Sequence, residues 1–285
     1  DTTLLGDISH VETLVDEGVD INEQEMHEHY TALMCAAQEG HADIIQVLLN
    51  HGANVHLTNH HGFTALHAAA AHNQCIVSQM LSPILNINST DNLGATPLIY
   101  ASLHGHEEVV KVVLDGGADP DVQMFENQYT ALHMAAYYNH EAVCEILLSY
   151  KANIDAVDQQ GSTALMMASQ EGHTDIVRTL INANANVDLA DSNQTTALHT
   201  AVATKQEEIV KLLLTAGANK DNQDDQGDTA LMKAVKYNCI DMVKLLLKEG
   251  ADAELVNYED LRPIDLAGSL NHRKICFILN RHRFQ

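Results

Sequence analysis

Histidine is the residue type best suited to chemistry in this chain, with 18 copies among 285 residues. An imidazole titrates at about pH 6.5, so it serves as a general base or, when neutral, as a metal ligand. In the stretch "TALHAAAAHN" Thr64 precedes His67 by one helical turn, an arrangement that could mark the edge of a hydrolytic site. Elsewhere "HEH" at His27–His29 and "HH" at His60-His61 could bring up to four imidazoles together as zinc ligands.

Repetition decides the first case. The tetrad recurs at Thr31, Thr64, Thr96, Thr130, Thr163, Thr196 and Thr229, then decays to "RPID" at Arg262, with spacings of 33, 32, 34, 33, 33, 33 and 33. So regular a period means one supersecondary unit stacked many times. A catalytic histidine is needed once, whereas His67, His133 and His199 occupy one phase of the repeat, so they read as structural. His27, His29, His60 and His61 would lie on exposed fingertips, at spacings unlike the short, paired ligand spacing of structural zinc sites. No G-x-S-x-G, P-loop, G-x-G-x-x-G or H-E-x-x-H occurs. The expectation is therefore no catalytic residue, no metal and no cofactor.

Each unit must then be read as a scaffold. In Thr163–Gln194 the threonine hydroxyl is placed to cap a first helix, and Pro97 in a sister unit sits where a missing N–H costs little. Leu165, Ala168 and Ser169 make a small-residue face that lets neighbouring helices approach. Gly172, Gly40 and Gly105 end that helix at a position suited to left-handed backbone, where Asn73, Asn139, Asn238 and Asn271 also stand. Lys205 at this phase has no explanation in the sequence. An apolar stripe such as "DIVRTLI" predicts a second, more hydrophobic helix, followed by an Asn- and Asp-rich turn. Two units depart from the pattern. Met80–Gly94 is one residue short and carries Pro83, which predicts an early helix end, and Asp121–Thr130 is one residue long and lacks the turn glycine.

The T-P-L-H-x-A pattern, the Gly-His pairs at Gly40, Gly105 and Gly172, and the "GAN" or "GAD" after the second helix resemble the ankyrin repeat family. The resemblance covers nearly the whole chain. It implies an all-α fold, an ankyrin-repeat solenoid of stacked helix-turn-helix units with projecting β-hairpin loops. The expected organisation is a single domain over 1–285. A partial unit over 1–25 precedes full repeats from about 26, 59, 91, 125, 158, 191 and 224 and a degenerate capping unit over 257–285. The opening segment aligns with the second half of a unit and starts at Asp1, which points to a longer parent protein.

Composition limits the partners. The net charge is −24, and residues 1–110 hold 14 carboxylates with no lysine or arginine. Such a surface disfavours nucleic acid and anionic membranes and suits a basic peptide or protein. No apolar run approaches the roughly 18 residues that a membrane span needs. Five cysteines without C-x-x-C spacing read as buried reduced thiols of an intracellular protein, cytoplasmic with the nucleus as the alternative. The sequons at Asn88 and Asn193 are read as chance matches.

The family resemblance also implies where a partner would sit. Its usual contacts are the residues seven and eight after each threonine and the hairpin residue just before it, on a concave groove. Here these include Tyr30, Phe63, Leu103, His104, Tyr129, Tyr137, Tyr138 and Tyr237, with Phe125 on a nearby fingertip. Aromatics concentrate between residues 100 and 138, as at a recognition surface. The function expected is a monomeric, non-enzymatic module that binds a basic protein or peptide. The alternative is a targeting or autoinhibitory region of a larger enzyme such as a kinase, ligase or secreted effector.

Overall fold

The computed structural model describes residues 6–283. Among them 17 α-helices fall into two compact units, divided between Asn153 and Ile154. In the first, α1 (Ile8–Asp16) precedes four helix pairs. These are α2 (Ala32–Glu39) with α3 (Ala42–Asn50), α4 (Ala65–Ala71) with α5 (Cys75–Leu81), α6 (Pro97–Leu103) with α7 (Glu107–Asp115), and α8 (Ala131–Tyr137) with α9 (Glu141–Ser149). The second holds α10 (Ala164–Glu171) with α11 (Thr174–Asn182), α12 (Ala197–Ala203) with α13 (Glu207–Thr215), α14 (Ala230–Lys236) with α15 (Ile240–Lys248), and α16 (Pro263–Ser269) with α17 (Arg273–Arg283). Within each unit every first helix packs on its own second helix and on the first helix of the next pair, the stacking of an all-α repeat solenoid.

Local chemistry sets these helices. Thr31, Thr64, Thr96, Thr130, Thr163 and Thr229 each accept a hydrogen bond from the backbone N–H three residues on. A cap of this kind contributes about 1 kcal/mol. Gly40, Gly105 and Gly172 then turn the chain with φ of +80°, +72° and +80°. Lys205 takes the same left-handed turn at φ +64°, as do Asn73, Asn139, Asn238 and Asn271. Its side chain is therefore tolerated at a position set by backbone geometry rather than chosen for it. The second helices bury one stripe, such as Ile176, Val177 and Leu180, all 0% exposed. α5 has 7 residues where α3 and α7 have 9, which fits the early end predicted at Pro83.

The polar loops are repeat-to-repeat staples, a role that their composition did not reveal. The backbone N–H of Asn54 donates to Asn22 Oδ1 at 2.7 Å, Asp119 to Asn88 at 2.9 Å and Asn153 to Asp121 at 2.7 Å. In the second unit Asn186 donates to Asp155, Asn219 to Asp188 and Asp252 to Asp221 at 2.7–2.9 Å. The fingertips are tied similarly, for instance His60 N–H to the Glu28 carbonyl and Phe125 N–H to the Leu93 carbonyl, both at 2.9 Å.

The projecting hairpin loops are held by isolated antiparallel bridges, Gln24–Thr31, Val157–Thr163 and Ala190–Thr196, with no longer strand among the described residues. One expectation is corrected. The thiols are free, but only Cys144 is buried. Burial pushes the Cys144 thiol up to about 12. The long fingertip at 121–130, which closes with Gln128 at φ +57°, has a counterpart at 22–31 closing with His29 at φ +60°.

Candidate partner-binding face

The repeated histidines are structural. The Thr64 N–H donates to His67 Nδ1 at 3.2 Å, while the N–H of His67 returns to the Thr64 hydroxyl oxygen. With Nδ1 accepting, the ring carries its proton on Nε2 and donates it to the Ala95 carbonyl of the next repeat at 3.1 Å. His199 repeats this bond to the Asp228 carbonyl at 3.1 Å, and His133 caps Thr130 in the same way. Burial holds the His67 and His199 imidazoles below the usual range, so they are neutral bridges. On the fingertips His29, His60 and His61 meet edge to face at 5.8 Å, and His61 Nε2 lies 3.0 Å from Glu28 Oε2. Among the described residues no group of three His, Cys, Asp or Glu side chains is placed to hold a metal ion.

The nine expected contact residues divide by burial. Tyr137 and Tyr138, at the C-terminal end of α8, are 43% and 50% exposed, and their rings meet edge to face at 5.0 Å. Tyr237 holds the same register after α14 at 48%. His104 is exposed as well, while Leu103 is half-buried and its carbonyl accepts from His140 Nε2 at 3.0 Å. The hairpin residues are less free. Phe63 stacks on His67 at 5.4 Å and meets Tyr100 edge to face at 4.8 Å, and Tyr30 and Tyr129 are half-buried. Phe125 is exposed but stands apart from the helix ends, its ring lying across the backbone of Gly94.

His104 has imidazole neighbours of its own. It stacks on His106 at 5.6 Å, and burial, followed by the proximity of His106, His72 and His140, pushes its ring below the usual histidine range. His106 and His140 each donate Nε2–H to the previous repeat, to the carbonyl seven residues after its capping threonine, on Ala71 and Leu103. Gln74 does the same to Gln38 at 2.9 Å.

Sequence reasoning missed the acidic anchors of the fingers. Asp91 accepts the N–H groups of Leu93 and Ala95 on Oδ1 and the Tyr100 hydroxyl on Oδ2. Asp224 does likewise for Gln226 and Asp228, with Lys233 2.5 Å from its Oδ2. Buried Asp228 pairs with Lys236 and accepts from Asn257 Nδ2 at 3.0 Å. The signal was present: an Asp or Asn stands five residues before Thr64, Thr96, Thr163, Thr196 and Thr229, at the period of the caps, with Phe125 breaking it before Thr130.

A family model of ankyrin repeats in three copies matches residues 3–91, 70–158, 150–224 and 214–283. The chain belongs to the ankyrin repeat family. Ankyrin repeats are protein–protein interaction modules, and no described helix is long and apolar enough to cross a membrane. This ankyrin chain is 29% identical over 158 residues to human SH3 and multiple ankyrin repeat domains protein 2, covering 55% of this chain and 8% of that protein. It is 31% identical over 168 residues to human Ankyrin repeat and SOCS box protein 3, covering 45% and 32%. It is 30% identical over 160 residues to "Probable E3 ubiquitin-protein ligase XBOS32" of Oryza sativa subsp. japonica, again 45% and 32%. The chain thus spans a third or less of the length of these relatives.

Proposed function

We propose that the inner-helix ends around Tyr137 and Tyr138 recognise a positively charged protein or peptide, with the chain acting as a monomeric, non-enzymatic module. The observation that carries this reading is the tyrosine pair itself. Two large amphipathic rings are held edge to face yet about half exposed, so they offer contact area already ordered before binding. Leu103, His104 and Tyr129 extend the patch, and Tyr30, Phe63, Phe125 and Tyr237 flank it along the sequence. Exposed Glu39, Glu107, Glu126 and Glu171 supply negative charge that would steer a basic partner. The same charge disfavours nucleic acid. Five free thiols support a reducing compartment, the cytoplasm or the nucleus. The 33-residue period running from Thr130 to Thr163 supports reading 1–285 as one domain.

A second reading rests on the match to the rice protein named as an E3 ubiquitin-protein ligase, of which the matching part covers 32%. There the repeats would select what a larger enzyme acts on. Both readings place recognition on the same face. Affinity capture from lysate with wild-type and Tyr137→Ala/Tyr138→Ala protein, with thermal melts of both, tests that placement.

A further inference from the structure

Fifteen residues after each capping threonine the second helix carries a polar, exposed side chain, as at Gln46, Gln79, Lys111, Glu145, Arg178 and Lys211. Counted from Arg262, α17 places Phe277 there, and its ring is 68% exposed. Register, not position in the stack, leaves this side chain open. Lys111 stands on α7, which packs against both α5 and α9, and it is exposed all the same. Phe277 borders a groove of about 390 Å³ between α15 and α17, with Ile240 and Ile278 beside it. The other residues that line this groove are Lys244, Arg273 and Lys274, three cations and no carboxylate. By contrast, Glu107 and Glu108 line the groove between α7 and α9, and Asp115 lines the one between α5 and α7.

The cations are available to a ligand. Lys244 pairs with Asp241 of its own helix at 3.0 Å, but both are exposed, and such pairs are weak. Arg273 meets the amide oxygen of Asn271 at 3.4 Å rather than a carboxylate. One turn further along the same two helices Lys248 and Arg281 are exposed as well, with Glu249 the nearby acid in sequence. This basic cluster stands in a chain whose net charge is −24.

We propose that this groove docks a short acidic amphipathic helix of a protein partner, distinct from the tyrosine face. An apolar side chain of the helix covers Phe277, and its flanking Glu or Asp residues meet Lys244, Arg273 and Lys274. The length of the occupant follows from screening. Charges farther off than about 8 Å are largely screened at physiological salt, so a short segment meets the cluster alone. An anionic bilayer or a nucleic acid would face the whole acidic chain and be repelled by it.

The probe is a fluorescein-labelled synthetic helix with leucine and phenylalanine on one face and glutamate on its flanks, beside a scrambled peptide of the same composition. Fluorescence anisotropy reads binding. Phe277→Gln installs the residue that α3 and α5 carry at this register, and Arg273→Glu/Lys274→Glu installs the pair that opens α7, so both proteins should fold, as circular dichroism checks. Each is expected to weaken the amphipathic peptide about tenfold or more. Added salt should weaken it too. Binding should be unchanged in Tyr137→Ala/Tyr138→Ala protein, so failure of the tyrosine reading would leave this one standing. No binding up to about 1 mM, equal binding of the scrambled peptide, or indifference to both variants overturns the proposal. Cosedimentation with phosphatidylcholine vesicles containing phosphatidylserine, lost in Phe277→Gln protein, would overturn it in favour of a lipid surface. A dimer in sedimentation velocity that Phe277→Gln dissolves would overturn it in favour of a second copy.

Discussion

The Tyr100 hydroxyl donates to Oδ2 of Asp91 at 2.8 Å, binding the first inner-helix turns of one repeat to the finger that precedes them. Lys233 does the same for Asp224 at 2.5 Å, in the same register of its own repeat. Asp91 is 4% and Asp224 1% exposed, so each carboxylate depends on this partner and on two backbone N–H groups. Tyr100→Phe should cost about 1–3 kcal/mol through the unpaired oxygen. Lys233→Met should cost more, near the lower end of about 3–5 kcal/mol, since it strands a buried charge. Lys233→Met/Asp224→Asn should recover much of that loss. Urea denaturation of the four proteins checks the order.

The same pair sets a pH dependence. Burial alone would raise the Asp224 carboxyl, but Lys233 and the N–H groups of Asp228 and Gln226 outweigh it and hold it below its ordinary value. Its contribution is complete above about pH 4 and is lost as pH falls through the lower folded value. Lys233 is held above its ordinary value because Asp224 outweighs its own desolvation. Its contribution is complete below about pH 10.4 and is lost as pH rises through the folded value. In Lys233→Met protein the acid limb below about pH 4 should flatten.

His67 and His199 act in the opposite sense to a paired histidine. Burial depresses both, so the unfolded chain binds a proton before the folded one does. Their contribution is present above about pH 6.5 and is lost as pH falls from there toward the depressed folded values. A urea midpoint that falls between about pH 6.5 and 5, with a shallower fall in His67→Asn/His199→Asn protein, is the expected result. Nitrogen NMR at pH 6 should show both rings neutral with the proton on Nε2, as the bonds to Ala95 and Asp228 require.

Glycine and lysine at one turn make a matched test. Lys205 sits at φ +64°, where a side chain is disfavoured by about 1–2 kcal/mol. Glycine relieves that but gives the unfolded chain more freedom, so Lys205→Gly should gain only about 0.5–1 kcal/mol. Gly105→Ala should lose more than this. A Cβ there would lie 2.4 Å from His140 Nδ1 and dislodge the bond from His140 to Leu103. Thermal melts of both variants should move in opposite directions.

The repeat, the caps and the turns were legible because each follows from the type of one residue: a hydroxyl at the cap, a glycine or asparagine at the turn, an apolar stripe on the second helix. Even Lys205, which no propensity explains, falls into place by its register, since the turn is fixed by its neighbours. The staples from Asn54 to Asn22 and from Asp119 to Asn88 were not legible. A loop rich in Asn and Asp reads alike whether its side chains meet water or the next repeat, and only stacking tells these apart. Exposure at the expected contact positions was legible in part. Register found Tyr137, Tyr138 and Tyr237, whereas Phe63 was drawn into packing by His67 and Tyr100, partners that lie outside the register rule.

The tyrosine pair gives the most discriminating prediction. Both rings stand on the last turn of α8 and its cap, above Ala135 and Ala136, which are 0% exposed and carry the packing of that helix. Removing either ring should therefore leave the fold nearly intact, while losing about 2 kcal/mol or more of binding if the pair anchors a partner. Replacing Glu107 and Glu126 by glutamine should instead slow association and weaken its salt dependence, with little effect on dissociation. Surface plasmon resonance with the captured partner separates these outcomes. Unchanged dissociation in Tyr137→Ala and Tyr138→Ala proteins with unaltered melting temperatures would move the contact off this face. A large fall in melting temperature would make the rings part of the stack rather than its recognition surface.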